Sequence, residues 1–165
     1  MCYNKGTMAR KKPSKTKPNA VVNRRARFDY TLGDELTVGL SLTGPEVRAA
    51  RDGHIQLKGA YVQVRGSELW LQNASFSLKL NEHGKPGARA IDTSPRKLLA
   101  HRKQIDALLA TKAQGNTIVP LRLLTTGRFI KLVIATGKGK KHYDKRETIK
   151  RRDQERETRR IIKSV

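Results

Sequence analysis

The sequence predicts a mainly β domain, an OB-like barrel of about six strands, closed or partly open, with two or three flanking helices. Three observations indicate this class. Several short segments alternate apolar and polar residues, which is the period of a strand with one buried face. Only two internal segments have helix start and stop signals. The chain has 165 residues, which is enough for one hydrophobic core but not for two.

The first half is predicted to contain four strands and one helix. The first strand lies in LTVGLSL, where every second residue is a large aliphatic one: Leu36, Val38, Leu40 and Leu42. GPEVRAARDG predicts a short helix, because Pro45 suits a first helical position and Gly53 suits the residue after the end. AYVQVRGSELWL predicts two strands joined by a tight turn at Gly66, and SFSLKL predicts a strand over residues 75–80.

The second half is predicted to contain a loop, a helix and a hairpin. The loop covers residues 81–93, which include three Gly or Pro positions. Ser94 and Pro95 predict the start of a helix that ends near Ala113, with an apolar face made of Leu98, Ile105, Leu108 and Leu109. NTIVPLRLL and GRFIKLVIA predict two strands joined across TTG.

The formal net charge of +22 points to a polyanionic partner such as RNA, and this gives two side chains in these strands alternative roles. Lys131 lies between Ile130 and Leu132, so strand alternation turns it outward, where it is either an ordinary surface lysine or an RNA contact. Trp70 in ELWL is expected in the core, because tryptophan brings a large apolar area to a small domain. Stacking on a nucleobase is the alternative for Trp70.

The positive charge is concentrated at the two ends of the chain. The formal net charge is +22. Residues 1–27 carry nine basic and no acidic side chains, and residues 138–163 carry twelve basic and five acidic ones. A polyanion is the expected partner, because each phosphate neutralised by Lys or Arg releases a condensed counterion. Nucleic acid is favoured over a membrane, since the basic tail has no apolar face.

We therefore divide the chain into a disordered basic arm (1–20), an RNA-binding barrel (21–137) and a basic tail (138–165). The tail has helix-forming residues and two Glu-to-Arg pairs four residues apart, Glu147 with Arg151 and Glu155 with Arg159. Each pair contributes only about 0.2–0.5 kcal/mol. Without an apolar face the tail is expected to be unfolded when free and helical against phosphates, with Asp144 as its N-cap.

The sequence contains no pattern typical of catalysis, of a cofactor or of a membrane span. The four histidines are dispersed, and Cys2 is the single cysteine, so neither a zinc site nor an intrachain disulfide is expected. Gly137–Lys140 lacks the spacing of a P-loop. No apolar run approaches 18 residues and no signal peptide is evident, so we expect a cytoplasmic protein that is not an enzyme.

The order of motifs resembles the SsrA-binding protein family, also called small protein B, the bacterial partners of transfer-messenger RNA. Seven motifs carry the resemblance: NRRAR, LTGPEVRAARDG, LKGAYV, ELWL, RKLLAHRKQID, GRFIKL and GKGKKHYDKRETIKRRD. They extend from about Val22 to Arg160. No single motif would be sufficient, but the combination in this order is specific.

The resemblance implies that the barrel holds the tRNA-like domain of transfer-messenger RNA. It also implies that the tail enters the vacant mRNA channel of a stalled 70S ribosome, near the decoding centre, without any catalysis. Elongation factor Tu would be an indirect partner through the charged RNA, and a monomer is expected. The alternative from composition alone is a ribosomal or RNA-chaperone protein whose arms neutralise RNA without selectivity.

The resemblance also implies two sets of site residues. The RNA-binding set is Asn23, Arg24, Arg25, Arg27, Leu99 and Lys131. The decoding-centre set is Lys138, Lys140, Lys141, Tyr143, Asp144, Lys145 and Arg146. Alternatives remain: the three arginines as an ordinary solvated basic stretch, Asn23 as a turn residue, Leu99 as a core residue, and Tyr143 as a surface aromatic near a helix cap. Family members commonly have Glu where this chain has Thr37. Either Asp34 or Glu35 replaces it, or that contact is missing in this chain.

Overall fold

A computed structural model of the protein describes residues 20–79 and 89–164. The strands are β1 (Ala20–Val22), β2 (Tyr30–Leu40), β3 (Ile55–Gln56), β4 (Tyr61–Arg65), β5 (Glu68–Gln72), β6 (Ser75–Lys79), β7 (Arg89–Asp92), β8 (Arg96–Leu99), β9 (Thr117–Leu124) and β10 (Lys131–Gly139). The helices are α1 (Arg24–Asp29), α2 (Gly44–Arg51), α3 (Arg102–Ala113) and α4 (His142–Ser164). The predicted arm, apart from Ala20, and most of the predicted loop fall outside the described residues.

Six strands form a closed ring in the order β9-β10-β2-β8-β5-β4, and β4 pairs back to β9 through Val62 and Ile118. Every neighbouring pair in the ring is antiparallel. Strand β1 extends the sheet outside the ring along β9, and β3, β6 and β7 form a second sheet. The predicted small, mainly β fold is confirmed, with more short strands than the sequence indicated.

The main core lies inside the ring. Alternate residues of the strands point inward and are almost completely buried, among them Leu69, Leu71, Leu123, Leu132 and Ile134. Each such side chain contributes roughly 1.5–3 kcal/mol when it leaves water. A second, smaller core of Ala26, Val119, Leu121 and Ala135 lies beneath α1. This second core fixes α1 on the outside of β9 and β10.

Helix α2 has the predicted start, with Pro45 in its first turn. The hairpin turn between β4 and β5 also occurs where predicted, and Gly66 there has a φ of 58°, a conformation that glycine adopts without strain. Glu46 in the first turn of α2 is buried and accepts hydrogen bonds from the backbone N–H and the hydroxyl of Thr43 at 2.7 and 3.0 Å. It also pairs with Arg96 at 2.8 Å, which ties α2 to β8.

The second predicted helix begins later than the sequence indicated. Ser94 and Pro95 precede strand β8, and α3 begins only at Arg102. The reason is that RKLL pairs on both sides within the ring: Leu98 lies opposite Leu40 and Leu69 and is 2% exposed, whereas Leu99 points outward. Sheet pairing therefore outweighs the local cap signal at Ser94.

Three further predictions are corrected by the structure. Trp70 is only half-buried, because Leu69 and Leu71 take the inward positions of β5. Leu109 is 38% exposed, and the buried residues of α3 are Ile105 and Leu108. The first long strand begins at Tyr30, six residues before the predicted start, and it is preceded by α1, which the sequence analysis did not predict.

Candidate nucleic-acid interface

The motif NRRAR forms the start of α1, and Asn23 holds this helix against the ring. The Asn23 side-chain oxygen accepts a hydrogen bond from the Ala26 N–H at 3.2 Å, which caps the helix. Its amide group donates to the carbonyls of Leu57 and Pro120 at 2.9 and 3.0 Å. Asn23 is 7% exposed. Asn23 is therefore the buried cap of α1 and orients the arginines that follow it.

The three arginines of this motif lie on the surface. Arg24, Arg25 and Arg27 are exposed, while Ala26 between them is buried. Arg27 lies 3.8 Å from a Glu35 carboxylate oxygen on β2, and the other oxygen of Glu35 lies 3.4 Å from Arg122 on β9. Exposed ion pairs of this kind contribute little to stability. The guanidinium groups can therefore exchange a carboxylate for a phosphate at small cost.

Leu99 and Lys131 lie on either side of Gly39, which brings two predicted site residues together. Gly39 of β2 is opposite Lys131 of β10 on one side and opposite Leu99 of β8 on the other. Lys131 is exposed, and Leu99 is 55% exposed. A Cβ at position 39 would lie 3.1 Å from the Leu99 Cβ, so glycine allows the close approach of β8. Leu99 is thus a surface residue, and its core alternative is excluded.

The Glu35 cluster, with Arg27 and Arg122, and the Gly39 cluster, with Leu99 and Lys131, lie on one face of β2. Leu36, Val38 and Leu40 point into the ring, so Glu35, Thr37 and Gly39 point outward. Four residues of a strand span about 13 Å, which is the approximate separation of the Glu35 cluster and the Gly39 cluster. We call this outward row, with its neighbours Arg27, Arg122, Leu99 and Lys131, the outer strip. Glu35 shares the face of Thr37, which makes it the better candidate to replace the glutamate common at that position.

The structure adds two residues beside the outer strip that the sequence analysis did not single out. Phe129 is 69% exposed, and the Arg128 guanidinium lies 5.4 Å from the centroid of its ring. Both line a groove of about 410 Å³ that also includes Leu99 and Lys131. Both residues fall in the predicted strand GRFIKLVIA, but β10 begins only at Lys131, so they belong to the exposed connection after β9.

The first two residues of the predicted tail lie in the last strand of the ring. Lys138 still belongs to β10, where it pairs with Thr31, and α4 begins at His142. Asp144 lies in the first turn of α4 and is not the N-cap as predicted; its carboxylate accepts a hydrogen bond from the Lys141 N–H at 3.1 Å. Tyr143 is 60% exposed, and Lys141 and Arg146 are also exposed.

Lys140 and Lys145 do not face solvent freely, because they contact α1. The Lys140 ammonium donates to the Arg27 carbonyl at 3.3 Å, and the Lys145 ammonium lies 2.9 Å from the Asp29 carboxylate. Hydrogen bonding to Lys145 is the main cause that lowers the pKa of Asp29 below 3.8, and Arg25 acts in the same direction. A lowered carboxyl pKa means that the contact persists at neutral pH and is lost as the pH falls through that lowered value.

The rest of α4 projects from the ring. Every side chain described from Ile149 to Ile162 is exposed. Its ion pairs join Arg151 to Glu155 at 4.0 Å and Arg156 to Asp153 at 3.5 Å, so among the described residues the two predicted pairs do not form. A helix of 23 residues is roughly 34 Å long.

The family of the chain follows from sequence similarity over almost all of the described residues. The model of the SmpB protein family matches residues 20–164. The chain belongs to the SmpB family. Among SmpB-family relatives, the SsrA-binding protein of Levilactobacillus brevis is 40% identical over 160 residues, covering 94% of this chain and 99% of the relative. The SsrA-binding protein of Rhodopseudomonas palustris is 44% identical over 146 residues, covering 86% and 90%.

A solved SmpB-family structure has the same fold. It is described by the words "tmRNA-SmpB: a journey to the center of the bacterial ribosome". The two chains are 30% identical with a TM-score of 0.58, and the match covers 76% of this chain and 87% of that chain. The family resemblance found in the motifs is therefore confirmed.

The described part of the chain contains neither a membrane-spanning helix nor a metal-binding cluster. None of its helices is long and apolar enough to cross a membrane. Within residues 20–79 and 89–164, His, Cys, Asp and Glu side chains form no group of three or more that could hold a metal ion.

Proposed function

We propose that this chain is a non-catalytic RNA-binding factor that binds the tRNA-like domain of transfer-messenger RNA and delivers it to stalled ribosomes for trans-translation. The observation that supports this proposal most is membership of the SmpB family over residues 20–164. The match to the SsrA-binding protein of Levilactobacillus brevis covers 99% of that relative's length. The protein acts in the cytoplasm, where ribosomes translate. The chain acts as a monomer and meets elongation factor Tu through the charged RNA.

The folded body recognises the RNA through α1 and the outer strip. Arg24, Arg25 and Arg27 supply guanidinium groups that bind phosphates in pairs or stack on exposed bases. Lys131 adds a phosphate contact, and Leu99 offers an apolar surface to a base or sugar. Structured RNA is recognised largely by its shape, so the fixed distance between these groups along β2 provides the selectivity.

The tail acts on the ribosome after the body has bound the RNA. Residues 142–164 carry nine basic and five acidic side chains, and those described from Ile149 to Ile162 are all exposed, so the charges along this stretch are available to ribosomal RNA. We assign the vacant mRNA channel as their binding groove and Lys138, Lys140, Lys141, Tyr143, Asp144, Lys145 and Arg146 as the segment near the decoding centre. In the free protein the tail beyond Lys150 is unfolded, and the phosphates of the channel screen its charges and stabilise the helix.

Selective RNA binding is the first expected result. At fixed salt, the full-length protein should bind the tRNA-like domain at least about tenfold more tightly than a structured RNA of equal length, a difference of roughly 1.4 kcal/mol. Competition binding with a labelled tRNA-like domain measures this ratio. A ratio near one would favour a ribosomal or RNA-chaperone protein, since the net charge of +22 alone supports binding to any RNA.

Replacing Lys131 should weaken this binding specifically. We expect Lys131→Met to lower affinity for the tRNA-like domain about tenfold, because a charge-assisted contact contributes roughly 1.5–3 kcal/mol. Lys112→Met is the matched control, since Lys112 is equally charged and exposed but lies on α3. Direct titration of both variants compares them. Equal losses would mean that charge alone, and not the outer strip, determines affinity.

A further inference from the structure

The first turn of α4 is attached to the end of α1 by a small set of polar contacts. The Asp29 Oδ1 atom accepts a hydrogen bond from the Lys145 ammonium at 2.9 Å. The backbone carbonyl of Asp29 accepts one from the Lys140 N–H, also at 2.9 Å. The Lys140 ammonium binds the Arg27 carbonyl at 3.3 Å. Carbonyls at the end of a helix lack partners within that helix, so these lysines satisfy them.

Asp29 is also bonded within the helix that carries the proposed RNA contacts. Its Oδ2 atom accepts a hydrogen bond from the Arg25 Nε at 3.3 Å, so one carboxylate joins Arg25 of α1 to Lys145 of α4. The side chains of Asp29 and Lys145 are 25% and 31% exposed. The ion pairs farther along α4 join side chains that are more than 60% exposed. The Asp29 pair is therefore the better shielded from water and salt.

Helix α1 is a rigid base for this contact. Ala26 is buried in the small core under α1, and Asn23 bonds to the backbone carbonyls of Pro120 in β9 and of Leu57 in the connection before β4. The direction of α4 relative to the ring is then decided where its first turn meets Asp29. Direction matters once the whole of α4 is helical in its groove, because a swing of about 20° at the base would displace the tip of a roughly 34 Å helix by about 12 Å.

We propose that Asp29 is a positioning residue that fixes the direction in which the tail leaves the RNA-binding body. Its carboxylate holds Arg25 and Lys145 at once, so RNA bound on α1 and the start of the tail keep one relative orientation. The tail therefore enters its groove at a set distance and angle from the RNA. This role rests on the proposed function, but the orientation itself can be measured without RNA or ribosomes.

The orientation is tested by distance measurements between two spin labels. The full-length protein carries Cys2→Ser, with labels at Ser67→Cys in the exposed β4–β5 turn and at Lys150→Cys on α4. With Asp29 intact we expect one narrow distance distribution. Asp29→Asn should at least double its width, and Asp29→Glu should keep it narrow. Asp153→Asn is the matched control, because it removes the same charge from an exposed pair on α4 and should change nothing.

Two results would overturn the positioning role on structural grounds. One is a D29N distribution as narrow as that of the protein with Asp29. The other is a broad distribution in the protein with Asp29, since the direction of the tail would then not be fixed at all. Circular dichroism of D29N is expected to match that of the parent protein, which confirms that the ring remains folded.

Functional measurements separate this positioning role from RNA binding. We expect D29N to bind the tRNA-like domain within about twofold of the parent protein, because no proposed RNA contact is removed. Tagging, the addition of the peptide encoded by transfer-messenger RNA to the stalled chain, should fall about fivefold in D29N. This is the effect expected from losing one partly shielded ion pair, and tagging should return in D29E. Normal tagging by D29N would overturn the positioning role. Failure of the parent protein to bind the RNA would instead overturn the proposed function and leave the label distances valid.

Discussion

Truncation after Lys141 should abolish tagging of stalled ribosomes while leaving RNA binding nearly intact. The cut removes α4 but keeps Lys138 of β10, which pairs with Thr31 of β2, so the ring is not shortened. The lost segment carries nine basic and five acidic side chains, a small part of the total charge of +22. We therefore expect affinity for the tRNA-like domain to fall by no more than about threefold.

A reconstituted translation reaction with a truncated message measures tagging, and filter binding measures affinity in the same preparations. The control is a variant in which residues 142–164 are shuffled, which preserves charge and composition. It should tag as poorly as the truncated protein if the order of residues near the decoding centre matters. Normal tagging without α4 would contradict the division between body and tail.

Replacing Arg96 by methionine should destabilise the fold by about 3–5 kcal/mol, because it leaves a buried carboxylate without its partner. The Arg96 side chain is 4% exposed and lies 2.8 Å from both the Glu46 and Asp92 carboxylates. It donates to the Ser94 carbonyl at 2.5 Å, and its guanidinium lies 4.0 Å from the centroid of the Phe76 ring. One side chain thus joins α2, β6, β7 and β8.

Urea unfolding of the Arg96→Met protein tests this expectation, with Lys97→Met as the control. Lys97 is the next residue, and its ion pair with Glu68 is more than 40% exposed on both sides, so its loss should cost at most about 1 kcal/mol. Adding Glu46→Gln to Arg96→Met should restore part of the stability by removing the orphaned charge. A loss below about 1 kcal/mol for Arg96→Met would show that this network is not a main support of the fold.

Strands with one buried face were the part of the fold that the sequence predicted best. LTVGLSL, ELWL and IKLVIA carry their large aliphatic residues at every second position, and these residues point into the ring. The prediction failed where sheet pairing decides between two local options. In RKLL the adjacent leucines suit a helix edge or a strand equally well, and only pairing with Leu40 and Leu69 selects the strand.

Helix α1 was missed for a different reason. Its six residues contain no apolar periodicity, and it is held by Ala26 in the small core and by the Asn23 amide bonded to residues 34 and 97 positions away. The sequence predicted that Lys131 points outward, which the structure confirms, and Arg24, Arg25 and Arg27 are exposed as well. It could not reveal Glu35 beside Arg122 or Asp29 beside Lys145, because these partners are 87 and 116 residues apart.

The central claim is that this chain selects one RNA by its shape and does not merely neutralise RNA. Affinity purification of the full-length protein from a bacterial lysate at physiological salt, followed by sequencing of the bound RNA, tests it most directly. We expect one dominant species with a tRNA-like end, and a strong loss of that species with Lys131→Met. Recovery of ribosomal and transfer RNAs in proportion to their abundance would contradict the claim.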